Sequence, residues 1–161
     1  MIFVDHYSRF TFVYLMKSIM SAETVQAKQA FESYSRSLGV HIHHYHADNG
    51  RFADNAFIQD YQQQKQSIIY CGVNAHWHNG LTEKRIQDLE DSTRAQLIHA
   101  THRWPQAATA HLWPYNLVYS YDIANSIINI TTSEFHWIAS PMYPSNQNFN
   151  ITTPSSALYI S

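Results

Sequence analysis

The sequence predicts one α/β domain in which a mixed sheet is flanked by helices. Short apolar segments rich in β-branched and aromatic residues alternate with longer segments of helical periodicity, a pattern typical of α/β proteins. The chain has 161 residues, 45% of them hydrophobic and 14% aromatic. This is enough to bury a single core, and it excludes an intrinsically disordered chain.

Four short runs predict strands, three because they are apolar or rich in aromatic and β-branched residues and the third in order because its residues alternate. The first two read as a hairpin. The third runs directly into Asp48, which places a carboxylate at the end of a strand. The predicted strands are Ile2–Val4, Phe10–Leu15, Val40–His46 and Ser67–Cys71.

Four helices are predicted from apolar positions spaced three and four residues apart. We expect Ser21 to cap the first helix and Gly39 to end it, and Pro105 suits the first turn of the last helix. In the third helix the apolar stripe consists of Ile86, Leu89, Thr93 and Leu97. The predicted helices are 22–38, 55–64, 81–100 and 105–128.

The chain changes character near residue 131. Beyond that point charged residues almost vanish, Pro, Ser, Asn and Thr accumulate, and periodicity is lost. We expect residues 1–130 to form the domain and residues 131–161 to be loop or disordered.

Charge and cysteine content exclude several classes of protein. The formal net charge is −2, so the chain as a whole has no basic excess for nucleic acid, and any contact with DNA must use a local patch. The single cysteine, Cys71, excludes an internal disulfide framework. No apolar run reaches 18 residues, so we expect no membrane span. Residues 1–5 lack the pattern of a signal peptide, so we expect an intracellular protein.

Two acidic residues stand out by their context. Asp48 follows a predicted strand in an Asp-Asn-Gly turn, and Glu83 lies in the first turn of the long third helix. Paired carboxylates at the edge of a sheet suit hard divalent cations such as Mg²⁺, and two such ions can clamp an in-line phosphoryl displacement. Lys84 and Arg85 would then contact phosphates beside the site.

Each of these residues also has a purely structural explanation. Asp-Asn-Gly is commonly only a turn, and a glutamate in the first turn of a helix commonly interacts with the helix dipole. Lys84 and Arg85 would then be a solvated helix face.

Four elements of the sequence follow one another in a fixed order. Residues 5–11 contain Asp, Tyr, Ser and Arg, residues 46–52 contain Asp48, residues 78–85 contain Glu83, and residues 103–105 and 112–115 each contain a Trp. In this order they resemble the integrase catalytic core of copia-type retrotransposons. The second element resembles the strand and turn that hold the family's second catalytic Asp, the third its segment with the catalytic Glu, and the last the helix that follows. The resemblance covers about residues 2–130.

The resemblance implies a fold, a chemistry and partners. The fold is the RNase H-like three-layer α/β fold, and the activity is 3′-end processing of element DNA and its transfer into a target. Asp48 and Glu83 would be the catalytic ligands of Mg²⁺ or Mn²⁺, with Lys84, Arg85 and Arg51 on DNA phosphates. The complete enzyme would be a nuclear homo-oligomer.

The same resemblance implies that part of the family's core is missing. The family uses three carboxylates, the first on the central strand of the sheet. Asp5 matches the family's second strand, which is not catalytic, and no acidic residue precedes it. We therefore expect a chain that begins too late, with exposed strand edges, weak metal binding and little or no strand transfer by itself.

Two other interpretations remain open beside a catalytic one. The chain can be a non-catalytic nucleic-acid-binding remnant of the same fold. Alternatively, His44, His46 and Asp48 share a strand face and can form a two-histidine, one-carboxylate metal site. Trp77, in the loop before Glu83, either stacks on an unpaired base or packs on the core.

Overall fold

A computed structural model describes residues 1–47, 51–70, 80–129, 134–135 and 157–160 of the chain. The sheet lies between two pairs of helices, which confirms the three-layer α/β architecture. The strands are β1 (Ile2–Asp5), β2 (Thr11–Val13), β3 (His44–Ala47), β4 (Ser67–Tyr70), β5 (Ile128–Asn129), β6 (Glu134–Phe135) and β7 (Ala157–Ile160). The helices are α1 (Ser21–Ser37), α2 (Asn55–Gln63), α3 (Gly80–Arg103) and α4 (Trp113–Ser126), with short 3-10 helices at Arg51–Ala53 and Ala110–Leu112.

The main sheet has five strands in the order β2-β1-β7-β3-β4. Strands β1 and β2 form an antiparallel hairpin, and β3 and β4 are parallel neighbours. Strand β7 joins the two pairs, because it runs antiparallel to β1 and parallel to β3. Tyr159, for example, lies opposite Val4 on one side and His46 on the other. The mixed sheet predicted from the sequence is thus confirmed.

The central position of β7 differs from the sequence-based expectation. Residues 131–161 were expected to be loop or disordered, and β1 and β3 were expected to expose unpaired edges. Instead, residues 157–160 pair with both strands, and residues 134–135 pair with β5. The segment Ala-Leu-Tyr-Ile has the composition of a strand, but it is short and its surroundings have no periodicity. The remaining residues of the tail lie outside the described part of the chain.

Each face of the sheet carries its own core, because side chains alternate along a strand. On the face covered by α1 and α2, Phe3 stacks on Phe31 with ring centroids 4.5 Å apart, and Tyr45 is fully buried beside them. On the other face, Ile2 and Val4 pack against Leu89 of α3. Strand β1 is therefore buried on both faces, which explains the uninterrupted apolar run Ile2–Val4.

Helix α1 ends as predicted but begins differently. Gly39 adopts a φ of +80°, a conformation that glycine accepts without strain, and its N–H donates to the carbonyl of Arg36. Ser21 does not cap the helix, since its hydroxyl donates to Asp54 instead. Glu23 organises this end by accepting a 2.6 Å hydrogen bond from the backbone N–H of Ser18.

The last helix begins later than predicted. The chain turns after α3, where the N–H of Ala108 donates to the carbonyl of Trp104, and α4 starts only at Trp113. Pro114, rather than Pro105, occupies the first helical turn. Pro105 cannot extend α3 because it lacks an N–H and restricts the residue before it.

Helix α4 also protects the edge of the sheet. The side-chain amide of Asn125 accepts from the N–H of Thr11 at 2.9 Å and donates to its carbonyl at 2.8 Å. Two backbone groups of the edge strand β2 are thereby satisfied, and the strand is less able to pair with another chain. Among the described residues, no helix is long and apolar enough to cross a membrane.

Candidate active site

Glu83 lies where the sequence places it, in the first turn of α3. Its side chain is exposed. Among the described residues, none donates a hydrogen bond to its carboxylate and none forms an ion pair with it. The helix is fixed on the sheet by Leu89, which packs against Ile2 and Val4. Within the described part of the chain, the Glu83 carboxylate is therefore open to a cation and sits on a rigid element, as a cation ligand requires.

Asp48 and Trp77, two of the predicted site residues, lie outside the described residues. The strand that leads to Asp48 is described up to Ala47, which is fully buried and lies between β7 and β4, opposite Tyr70 of β4. Arg51 begins the short 3-10 helix that follows. That helix is anchored by Phe52, whose carbonyl accepts a 2.6 Å hydrogen bond from the Tyr70 hydroxyl.

Lys84 is exposed and pairs with a carboxylate of its own helix. Its ammonium lies 2.8 Å from Asp88, one turn further along α3. The hydrogen bond to Asp88, and then the charge of Asp88, raise the pKa of Lys84. A phosphate that contacts Lys84 must therefore compete with Asp88.

Arg85 has a structural contact that the sequence did not indicate. Its guanidinium is half-buried and donates a 3.0 Å hydrogen bond to the backbone carbonyl of Arg9, in the turn between β1 and β2. Burial lowers the pKa of Arg85, and the nearby charge of Arg9 lowers it further, while Asp88 opposes both. Arg85 thus joins the start of α3 to this turn, a contact across 76 positions that no local pattern signals.

Asp5 shapes the same turn. Its buried carboxylate accepts hydrogen bonds from the backbone N–H of Ser8 at 2.7 Å and from the Ser8 hydroxyl at 2.6 Å. The N–H of Arg9 donates to the carbonyl of Asp5. These contacts give the Asp-x-x-Ser-Arg segment a structural role in holding the turn.

The histidines of β3 are partly described. His44 and His46 lie on the face opposite the buried Tyr45, as alternation predicts, and the ring of His44 hydrogen-bonds to the hydroxyl of Ser67. Within the described part of the chain, no three His, Cys, Asp or Glu residues converge on a metal-binding geometry. The complete predicted set includes Asp48, which lies outside that part.

Solved structures of viral integrases share this fold. No protein-family model matches the sequence, and no curated protein matches it either. The HTLV-2 integrase catalytic core domain in complex with magnesium, in its trimeric form, superposes with a TM-score of 0.65 at 18% identity, over 86% of this chain and 81% of that one. Its dimeric form gives 0.62 at 19% identity over the same shares.

A larger assembly matches as well. The simian T-cell lymphotropic virus intasome in complex with PP2A regulatory subunit B56 gamma gives a TM-score of 0.64 at 16% identity, over 95% of this chain and 52% of that one. At identities this low the likeness shows the fold, and a chemical role has to be argued from the residues of this chain. The chain thus has the fold of an integrase catalytic core.

Proposed function

We propose that this chain is part of a copia-type retrotransposon integrase, with residues 1–130 contributing most of its catalytic core. In the complete enzyme the core performs metal-dependent 3′-end processing of element DNA and strand transfer into target DNA, a role that places the enzyme in the nucleus. The observation that carries the proposal is the exposed carboxylate of Glu83, which has no partner among the described residues and lies at the start of a helix that packs on an integrase-type sheet.

Mg²⁺ or Mn²⁺ is the proposed cofactor, with Asp48 and Glu83 as ligands. An exposed carboxylate that no described residue contacts through a hydrogen bond or ion pair fits a hard cation that keeps most of its water ligands. The metal would stabilise charge on the oxygens of the transferred phosphoryl group. With only two carboxylates proposed, the chain is expected to bind metal weakly and to perform little strand transfer by itself.

A titration with MgCl₂ tests the proposed ligands. We expect Asp48→Asn and Glu83→Gln each to weaken Mg²⁺ binding by more than about tenfold, because even outer-shell changes cost 10–100-fold. Glu90→Gln is the matched control, since it removes an exposed carboxylate from the same helix two turns away. Equal affinities in all four proteins would contradict the ligand assignment.

The same variants separate the two rival functions. A non-catalytic remnant would bind DNA while Asp48→Asn left its Mg²⁺ affinity unchanged. A histidine-based module would bind Zn²⁺ or Fe²⁺ tightly, and binding would survive Glu83→Gln but not His44→Ala. Full Mg²⁺-dependent strand transfer by the purified chain would contradict the expected weak activity.

DNA is the proposed partner, contacted through phosphates and at least one base. Lys84, Arg85 and Arg51 are the proposed phosphate contacts, and Trp77 is the proposed stacking residue. Because the net charge of the chain is −2, binding must depend on this local group of cations and should weaken steeply with salt.

Homo-oligomerisation is proposed from an apolar surface on α4. Five large side chains, spaced three or four positions apart, are exposed along one side of this helix and its ends, and we name them the α4 stripe. They are Leu112, Tyr115, Tyr119, Ile123 and Ile127. A contiguous exposed apolar surface of this kind marks an interaction site, and a second copy of the chain would bury it.

Disrupting the α4 stripe should shift the chain toward the monomer. Tyr119 is 59% exposed, so Tyr119→Glu should leave the fold intact while placing a charge in the interface. Sedimentation equilibrium should show a rise in the dimer dissociation constant of at least about tenfold, equivalent to 1.4 kcal/mol. Ile19→Glu is the control, because Ile19 is an exposed apolar residue far from α4 in the chain. A purely monomeric wild type would rule out this interface.

A further inference from the structure

Two arginines from distant parts of the chain meet beside the start of α3. Arg85 projects from the helix and donates to the backbone carbonyl of Arg9 at 3.0 Å. Arg9 occupies a fixed place, because its φ of 63° lies in the left-handed region and the Asp5–Ser8 hydrogen bonds hold the turn. Both side chains are half-buried, which limits their freedom.

Neither guanidinium has a carboxylate partner in the described part of the chain. Four other cations there do form ion pairs, namely Lys28, Arg36, Lys84 and Arg94. Burial and the charge of Arg9 both lower the pKa of Arg85, so the two cations repel each other in a partly desolvated place. An anion between them would relieve this repulsion.

We propose that Arg9 and Arg85 together bind a backbone phosphate of DNA, as a two-arginine clamp. This inference rests on the proposed function, and it adds Arg9, which lies outside the proposed metal site. One Nη of Arg85 is used by the Arg9 carbonyl. No described residue accepts from the other N–H groups of the two guanidinium groups, so these are donors for phosphate oxygens. The carbonyl contact orients Arg85, which lowers the entropy lost on binding.

The register of the sheet places the clamp at one of its ends. Strand β1 runs antiparallel to β7 and β3, so the turn after Asp5 lies at the end of the sheet where β3 begins. Arg85 reaches that turn from the first turns of α3, two residues after Glu83. Neither arginine is a proposed metal ligand, so the clamp acts in binding and positioning.

Salt-dependent DNA binding tests the clamp in the full chain. The probe is a fluorescein-labelled duplex oligonucleotide, measured by anisotropy between about 50 and 200 mM NaCl. Arg9→Asn removes the charge while keeping a residue type that tolerates positive φ. We expect the slope of log K against log salt to become shallower by up to about 0.9, the contribution of one phosphate contact on B-DNA, because Arg85 still faces the phosphate.

Lys65→Asn is the matched control. Like Arg9, Lys65 is a cation without an ion pair among the described residues, and its φ of 55° is positive. It lies in the turn before β4, the edge strand opposite to β2 in the sheet. Its replacement should leave the slope unchanged. If Arg9→Asn and Lys65→Asn behave alike while the wild type binds DNA, the clamp is refuted and the proposed function stands.

A second probe keeps the clamp testable if the chain does not bind DNA. Inorganic phosphate is titrated into ¹⁵N-labelled protein, and the Nε–Hε resonances of arginines are followed by NMR. Saturable shifts of both Arg9 and Arg85, absent in Arg9→Asn, would support an anion clamp and leave only the DNA proposal refuted. No shift of either resonance would overturn the clamp.

Discussion

Leu158→Pro is expected to remove about 3 kcal/mol or more of stability, a fall in Tm of roughly 6–12 °C. Strand β7 is the link between the β1–β2 pair and the β3–β4 pair in the main sheet. Proline has no N–H for the ladder, and its fixed φ does not suit a strand with partners on both sides. Thermal unfolding followed by circular dichroism measures the effect.

The position of β7 can be checked without relying on stability. In a Cys71→Ser background, the pair Val4→Cys and Tyr159→Cys should form an intramolecular disulfide, because these residues lie directly opposite each other. The control pair Val4→Cys and Leu158→Cys is offset by one residue, so the two side chains belong to opposite faces. Equal yields of disulfide from both pairs would show that β7 does not hold this register.

Strand β7 also shows what the sequence can and cannot predict. Strands β1, β3 and β4 and helices α1 to α3 were predictable, because each has a periodic apolar pattern or a local end signal such as Gly39. A four-residue strand in an aperiodic tail has neither signal. Its stability comes from pairing with β1, more than 150 positions earlier in the chain, and such pairing leaves no local pattern.

The candidate site also has features that the sequence predicts and features that it does not. Glu83 was placed in the first turn of α3 from the helical stripe and the motif around it, and the structure has it there. The roles of neighbouring cations were not predictable, because they depend on partners. Lys84 pairs with Asp88 and Arg85 contacts the Arg9 carbonyl, so adjacent residues of one motif have different surroundings. The buried ion pairs of Lys28 with Glu32 and Asp60 were not predicted, for the same reason.

Replacing Lys28 is expected to be among the most destabilising changes in the chain. Its ammonium is fully buried between α1 and α2, 2.8 Å from Glu32 and 2.6 Å from Asp60. It also lies 5.5 Å from the centroid of the Tyr45 ring. Lys28→Met keeps the aliphatic length but removes the cation that pairs with Asp60 and the more buried of the two cations that pair with Glu32, the other being Arg36. Breaking such a pair from one side costs about 3–5 kcal/mol, which corresponds to a fall in Tm of roughly 6–20 °C.

The exposed pair on α3 provides the control. Lys84→Met breaks an ion pair with the same i,i+4 spacing, but both partners are solvated. Surface pairs contribute little, so the Tm should hardly change. Similar decreases in Tm in Lys28→Met and Lys84→Met would show that burial of the ion pair does not determine the size of the effect.

Lowering the pH should reduce the loss of stability caused by Lys28→Met, because the negative charge of the buried Glu32 carboxylate contributes to that loss. Burial alone would raise the pKa of Glu32, but hydrogen bonds from Lys28, Gln66 and Tyr45 outweigh it and hold the pKa below its ordinary value of 4.5. A carboxyl whose pKa is lowered in the folded state stabilises the fold above pH 4.5, and this contribution is lost as the pH falls through the pKa of the folded state.

In Lys28→Met the strongest of the hydrogen bonds to Glu32 is gone, so Glu32 can take up a proton at a higher pH and become neutral in its buried place. The stability difference between wild type and Lys28→Met should therefore be largest near pH 7 and shrink toward pH 4. Urea unfolding at a series of pH values measures it, and a constant difference would assign the loss to packing instead of charge.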